Sequence, residues 1–167
     1  MKLLPAQIRN SKGFTLIELI VVIAILGVLA AVLITTIDPL DKINAANDSG
    51  VVTSLAQFGK ANDTYAATHN NTYVGGTTVN AALTDLQTAG ESKIGSYTAP
   101  TGYTVNYATT ASCTTAGANC NNYAFWVTAL KSKKYGGPTT GQIYVYANGQ
   151  GCFKANGTSI TAATTCP

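Results

Sequence analysis

Residues 14–35 have the sequence FTLIELIVVIAILGVLAAVLIT, in which Glu18 is the only charged residue. An α-helix rises ~1.5 Å per residue, so these residues would form a helix about 33 Å long. That length is enough to cross the hydrocarbon core of a bilayer. The segment therefore predicts a membrane-spanning helix close to the start of the chain.

Basic residues precede this apolar run. Lys2, Arg9 and Lys12 all lie before Gly13. Because basic flanks favour the cytoplasmic side, we expect the N-terminus inside and the rest of the chain outside. A secretory signal peptide would have a shorter apolar core followed by a small-residue cleavage site. An ordinary single-pass anchor would leave Glu18 unexplained, since a carboxylate at membrane depth is costly and usually functional.

The overall composition bounds the class of protein. The 167 residues are 46% hydrophobic and 10% charged, with a formal net charge of +3. The chain is too apolar to be disordered and, downstream of the run, too polar to span a membrane several times. Seven basic and seven acidic residues follow Gly13, so residues 1–13 account for the whole net charge. The basicity is therefore no argument for a nucleic-acid partner.

The string Gly13–Glu18, GFTLIE, resembles the class III signal of bacterial type IV pilins and type II secretion pseudopilins. A short basic leader, Gly at the cut, Phe after it and Glu at the fifth mature position all agree. The resemblance implies that a prepilin peptidase cuts between Gly13 and Phe14 and then methylates the new amine of Phe14. It covers about residues 14–60 closely, and the remainder only in general style.

The resemblance also implies how the chain is processed, where it is located and which partners it has. Residues 1–13 would be the prepilin leader of a precursor held in the cytoplasmic (inner) membrane. The processed chain would then join an extracellular pilus or remain at the cell surface. Its partners would be copies of itself in a helical filament, the prepilin peptidase and the inner-membrane assembly machinery.

The carboxylate of Glu18 needs a physical reason. An ionised carboxylate in an apolar bundle costs several kcal/mol unless it is paired. Cleavage releases a cationic amine at Phe14, at the same membrane depth, so Glu18 of one subunit is predicted to pair with Phe14 of a neighbour. Such a pair would set the register between subunits. The alternative is a carboxylate that reaches the nearby interface, since Glu18 lies within ~6 Å of the start of the run.

The helical pattern continues after the apolar run. Asp38 and Pro39 are typical of an N-cap followed by the first helical residue. We predict one long, interrupted helix over 14–68, with a membrane-spanning and assembly half at 14–35 and an amphipathic half at 36–68. The buried stripe of the second half recurs at helical spacing and is predicted to comprise Ile43, Ala46, Val51, Leu55, Phe58, Ala61 and Tyr65.

The rest of the chain predicts a small sheet, so the fold class is α+β, a pilin fold by resemblance. Residues 69–100 are predicted as a loop region with a short helix at Val79–Thr88. Residues 101–167 are predicted as an antiparallel sheet of about four strands and a disulfide-closed C-terminal loop, with Phe125 and Trp126 in the core. The strands are Tyr103–Ala108, Tyr123–Leu130, Gln142–Ala147 and, after the hairpin signal Asn148-Gly149, Gly151–Ala155.

Four cysteines, Cys113, Cys120, Cys152 and Cys166, lie in the last third of the chain. An even number in an extracellular segment favours two disulfides. Of the three possible pairings, we favour Cys113–Cys120 with Cys152–Cys166, because each pair closes a short local loop. Zinc is the alternative, but the spacings do not match close ligand pairs and the only histidine, His69, is remote.

The sequence lacks the groups that most catalysis requires. No Asp or Glu follows Glu91, so the sheet region has no carboxylates for acid–base chemistry or for binding hard cations. No G-x-x-x-x-G-K-[ST] loop is present. We therefore expect no enzyme, no cofactor and no metal.

One basic cluster comprises Lys131, Lys133 and Lys134. Pili of the family that the chain resembles can bind DNA during uptake, so the cluster predicts weak DNA binding. The alternative is a solvated loop beside a Gly-rich turn.

Three functions are open at this point. The first is a pilin that polymerises into a type IV pilus-like extracellular filament for adhesion, motility or DNA uptake. The second is a pseudopilin of a type II secretion system, although its major members commonly carry an acidic calcium-binding loop and lack paired cysteines. The third is a binding or enzymatic domain on a membrane anchor, which a deep pocket with convergent polar groups would mark.

Overall fold

A computed structural model of the chain describes residues 13–110 and 120–167. The chain divides into two compact units, which meet between Pro39 and Leu40.

The first unit is dominated by helix α1, Leu16–Ile37. The helix is apolar on all sides and buries none of its residues. Within the described part of the chain, one helix, counted as Leu16–Thr68, is long and apolar enough to cross a membrane. This matches the length and composition argument made for residues 14–35.

The helical conformation is interrupted at a single residue, Asp38. Its φ of 43° and ψ of 74° place it in the left-handed region, between the end of α1 and the start of α2 at Pro39. A proline disfavours helical backbone in the residue before it, so α1 ends at Ile37. The predicted long, interrupted helix is thus confirmed, with Pro39 as the first residue of its second part. Asp38 differs from most N-cap residues, which are extended.

The second unit combines helices with one antiparallel sheet. Helix α2 spans Pro39–Thr68 and α3 spans Val79–Thr88, while α4, Gly137–Thr140, is a single turn after a 3-10 turn at Lys133–Tyr135. The strands are β1 Val105–Thr109, β2 Tyr123–Val127, β3 Ile143–Ala147 and β4 Gln150–Lys154, in the order β1-β2-β3-β4. The α+β prediction is confirmed, and every predicted element is present. The first three strands are one to three residues shorter than predicted, and β4 has the predicted length but begins one residue earlier.

The hairpin between β3 and β4 forms where the sequence signals it. Asn148 and Gly149 have φ values of 49° and 88°. A two-residue turn with two positive φ values matches the twist of the flanking strands, and Asn-Gly tolerates it best. This turn sets the register in which Val145 lies opposite Cys152.

One face of the sheet packs with α2 and α3. Phe125 pairs in register with Tyr107 and Tyr146, so these aromatic rings share that face. They form one core with Val51, Leu55 and Phe58 of α2 and with apolar residues of α3. The approach of α2 is close at Gly59, where an added Cβ would overlap the ring of Tyr146. A glycine is therefore needed at this position of the helix.

The predicted stripe of α2 is correct in its middle and wrong at its beginning. Val51, Leu55 and Phe58 are buried, whereas Ile43 is 58% exposed and Ala46 is also exposed. The first buried residue of α2 is Asp48, so the first turns of the helix carry apolar residues that the core does not cover. Periodicity alone could not show where along the helix the packing begins.

The other face of the sheet has a smaller core. Ala124, Ile143, Val145 and Ala147 are buried there, and Trp126, Cys152 and Ile160 pack against them. Phe125 and Trp126 were both predicted to be core residues. Phe125 is fully buried on the helix side, while Trp126 is partly exposed on the opposite side.

Candidate processing and assembly site at the start of the first helix

The predicted cleavage bond joins two residues that the fold does not constrain. Gly13 and Phe14 precede α1, and both are exposed, Phe14 to 85%. A Cβ added at Gly13 would meet no heavy atom within 4 Å. Since the structure gives no packing reason for glycine at this position, its reason lies outside the folded chain. An accessible bond of this kind suits a peptidase.

Thr15 and Glu18 together start the helix. Thr15 is extended, with φ −79° and ψ 151°, and its hydroxyl accepts a hydrogen bond from the Glu18 amide at 3.3 Å. In return, Oε2 of Glu18 accepts from the Thr15 amide and from the Thr15 hydroxyl, both at 2.8 Å. This reciprocal arrangement is a capping box, and a carboxylate in the first turn also complements the helix dipole.

The capping role was missed by the sequence reasoning. Glu18 was assigned either to a neighbouring subunit or to the interface, whereas the structure gives it an intrahelical function as well. The signal was available, because T-x-x-E immediately before or within an apolar run is the sequence signature of a capping box. Glu18 therefore has a local role in capping its own helix. A test of its predicted role in assembly must distinguish the two.

Around this site the apolar surface is uncovered. Every Val, Leu or Ile side chain of α1 is at least 47% exposed. Contiguous apolar surface of this extent marks contact with lipid or with another protein. The site is thus an exposed peptide bond followed by a capped helix whose apolar side chains are uncovered in the described part of the chain.

A family model for the prokaryotic N-terminal methylation motif matches residues 8–34. The chain carries the class III signal of type IV pilins and pseudopilins. The matched residues of this signal include Gly13, Phe14 and Glu18. No curated protein and no solved structure shows a significant match to the chain. The class III signal supports a membrane-anchored precursor that is processed and assembled, and it does not distinguish pilins from pseudopilins.

The predicted disulfides are partly tested. Cys152 and Cys166 are joined by a disulfide, which confirms one of the two pairs. Cys120 is buried. Its predicted partner, Cys113, lies outside the described residues, so the pair Cys113–Cys120 stays a prediction.

The lysine cluster gives no support to DNA binding. Nζ of Lys131 lies 4.7 Å from the centroid of the Tyr103 ring and 3.4 Å from the carbonyl oxygen of Thr101. Nζ of Lys134 lies 5.0 Å from the centroid of the Tyr135 ring. These two side chains contact their own domain, and the structure does not present the cluster as a single phosphate-binding patch.

Two carboxylates of α2 face the sheet, and sequence reasoning did not single them out. Asp48 accepts from the Tyr103 hydroxyl at 2.7 Å and from the backbone amides of Lys131 and Ser132 at 2.9 and 2.8 Å. Burial alone would raise the pKa of Asp48, but the hydrogen bonds from Ser132, Lys131 and Tyr103 outweigh it and lower that pKa. Asp48 therefore fixes the loop after β2 onto the helix.

Asp63 is held in a different way. It accepts from the hydroxyls of Tyr123 at 2.6 Å and Tyr146 at 3.2 Å. Here burial dominates and raises the pKa of Asp63, while burial and, after it, the neighbouring carboxylate of Asp63 raise the pKa of Tyr146 to about 12. The tyrosines stay protonated donors at neutral pH, so this cluster docks the helix on the sheet.

No candidate metal site is found in the described residues. Across 13–110 and 120–167, no group of three or more His, Cys, Asp or Glu side chains could hold a metal ion. His69 is exposed and its ring stacks on that of Tyr65, with 3.8 Å between centroids.

Proposed function

We propose that this chain is a pilin, the structural subunit of a type IV pilus-like extracellular filament. The class III signal is cut between Gly13 and Phe14, Phe14 is N-methylated, and the subunits polymerise through α1. One observation carries the proposal: the signal leads directly into a helix whose apolar side chains are all exposed. Because residues 13–110 and 120–167 leave this surface uncovered, we expect neighbouring subunits or lipid to cover it.

Glu18 is the residue that sets the register between subunits in this proposal. Both hydrogen bonds from Thr15 end on Oε2 of Glu18, so Oε1 is available to a cation from outside the helix. The amine of Phe14 on a neighbouring subunit has the right charge and membrane depth. In the absence of bulk water such a pair would be strong, and a misplaced neighbour would leave both charges unpaired.

Two features favour a pilin over a secretion pseudopilin. Residues 92–167 contain no Asp or Glu, so an acidic calcium-binding loop of the pseudopilin kind cannot form there. The second feature is the disulfide Cys152–Cys166, since the major pseudopilins commonly lack paired cysteines. We place the precursor in the cytoplasmic membrane with its N-terminus inside, and the mature chain in a surface filament that serves adhesion, motility or DNA uptake.

The decisive experiment is to shear filaments from cells and identify their subunit by mass spectrometry. We expect a mature chain that begins at N-methylated Phe14. A chain with this N-terminus found only in the cell envelope, and never in filaments, would instead identify a pseudopilin. A chain that retains Gly13 in both fractions would exclude processing altogether.

A further inference from the structure

The second face of the sheet is covered by the end of the chain. The register places Trp126, Val145 and Cys152 side by side on that face. Val145 is fully buried, although α2 and α3 pack on the opposite side of the sheet. The cover comes from the C-terminal segment 155–167, in which Ile160 packs on this core and Ala162 is 5% exposed.

The contacts that attach residues 155–167 to the rest of the domain are a few packing contacts, a few hydrogen bonds and one disulfide. Residues 155–167 form no helix or strand. Their local bonds are turns, such as the Thr164 amide donating to the Thr161 carbonyl at 2.9 Å. Apart from Ile160 and Ala162, their attachment to the rest of the domain includes two polar contacts, from Lys154 to Thr165 and from Asn156 to Thr139. The covalent attachment is the disulfide, with Sγ of Cys166 lying 3.8 Å from the carbonyl oxygen of Val145.

We propose that residues 155–167 are a strap over the second sheet face and that the Cys152–Cys166 disulfide is its lock. With the disulfide formed, the strap covers the apolar row at Trp126 and Val145. With the disulfide reduced, the strap leaves and this face is exposed, while the core between the sheet and α2 stays intact. The redox state of one cysteine pair thereby controls access to an apolar sheet surface.

The redox step requires an external thiol or phosphine reductant. A dithiol supplies two electrons and two protons, so that it becomes a disulfide while the S–S bond of Cys152 and Cys166 breaks to two thiols. A phosphine supplies two electrons, and one water molecule supplies the two thiol protons and the oxygen atom of the resulting phosphine oxide. Locking is the reverse reaction, in which a disulfide oxidant takes the two electrons.

The size of the effect follows from loop closure. In the chain-entropy model, a disulfide that closes a loop of about 15 residues favours the closed form by about a hundredfold. Reduction is therefore expected to shift the strap's opening equilibrium by roughly this factor. Amides of the strap, such as that of Thr164, should lose about a hundredfold in protection from hydrogen exchange.

The test uses the full chain in detergent micelles and compares it with Cys152→Ser/Cys166→Ser. Trp126 is the only tryptophan, so its fluorescence reports on this face alone. Acrylamide quenching of Trp126 and hydrogen exchange of the strap are measured together. The amides of α2 from Val51 to Ala66 are the internal control. Cys113→Ser/Cys120→Ser, which retains the lock, should behave like the wild type until reductant is added.

Three outcomes decide the matter. The proposal is supported if the disulfide variant shows stronger quenching of Trp126 and faster hydrogen exchange in the strap, while hydrogen exchange in α2 is unchanged. Unchanged quenching would overturn it, and so would loss of protection in α2, because the disulfide would then hold the whole domain. Ile160→Ser, with the disulfide intact, should accelerate strap exchange by less than the disulfide variant does. An equal effect would show that packing and not the disulfide is the lock.

Discussion

The two consecutive helices α1 and α2 differ in where they find their partners. α1 is apolar on every side and buries no residue, while α2 is nearly neutral in hydropathy and buries Val51, Leu55 and Phe58 together with polar Asp48 and Asn62. The side chains of α2 are explained by contacts within the chain. Those of α1 are explained by no contact within the described part of the chain, which is why the sequence of α1 indicates assembly or a membrane.

The same difference extends to the polar residues of the helices. In α1, Glu18 is exposed and bonded to its own helix end. In α2, Asn62 is fully buried, its amide nitrogen donates to the Tyr107 hydroxyl at 3.3 Å, and its carbonyl accepts from the Val74 amide at 3.0 Å. The buried polar groups of α2 are therefore parts of the fold, and Glu18, the one charged group of α1, is a candidate for function. The following predictions test this distinction.

The largest expected effect is on processing. Gly13→Val should abolish cleavage, so that only the unprocessed chain is found by mass spectrometry, because the signal loses its glycine. Gly27→Ala is the matched control, since a Cβ at Gly27, like one at Gly13, meets no atom within 4 Å. Normal cleavage of Gly13→Val would show that the bond at Gly13 is not the peptidase site.

The next effect is on assembly. Glu18→Gln should leave cleavage intact and eliminate filaments, because it removes the charge yet keeps a side chain that can complete the capping box. Glu18→Ala removes both functions and should also give no filaments. Filament yield is measured by shearing and immunoblotting. If Glu18→Gln assembles normally while Glu18→Ala does not, the helix cap and not the charge is what assembly requires.

The third effect is on stability. Phe58→Ala should lower the free energy of unfolding by about 3–5 kcal/mol, because Phe58 is buried against Phe125 with 6.1 Å between ring centroids. Ile43→Ala, an exposed position on the same helix, should change it by less than about 0.5 kcal/mol. Thermal unfolding of the full chain in detergent compares the two. A large loss from Ile43→Ala would mean that the start of α2 is covered after all.

A smaller effect distinguishes the two acidic residues of α2. Asp48→Asn should lower the free energy of unfolding by about 1–3 kcal/mol at neutral pH, because it alters a buried hydrogen-bond acceptor for two backbone amides. Asp63→Asn should lower the free energy of unfolding by less than Asp48→Asn does, or even raise it, since burial penalises the charged form of Asp63. Denaturant unfolding at pH 7 measures both. An equal cost for the two variants would contradict the distinction.

The pH dependence has opposite signs for the two groups. The folded-state pKa of Asp48 is lowered, so its contribution is present above the ordinary Asp pKa of about 3.9 and is lost as pH falls through the folded value. The folded-state pKa of Asp63 is raised, so protonation of Asp63 adds stability as pH falls through that higher value. Removing Asp48 should therefore flatten the acid limb of the stability curve, and removing Asp63 should steepen it.

Local signals carried the sequence predictions that the structure confirmed. The apolar run, Pro39, the Asn148-Gly149 turn and the short loop between Cys152 and Cys166 each depend on neighbours close in the chain. The class III signal is likewise a local pattern, and it is what the family model matches. Ile43 was predicted wrongly because its exposure depends on where a distant sheet meets the helix.

By itself, the sequence determined that this chain begins with a class III signal and an apolar helix, and that an α+β domain with a C-terminal disulfide follows. Only the tertiary structure decided that Asp48 and Asn62 are buried, that Trp126 lies on the far face of the sheet, and that residues 155–167 cover it. The physical reason is one of range. Helix starts, turns and short disulfides are fixed by residues close in sequence, while burial is fixed by contacts such as Asp48 with Ser132, 84 residues apart.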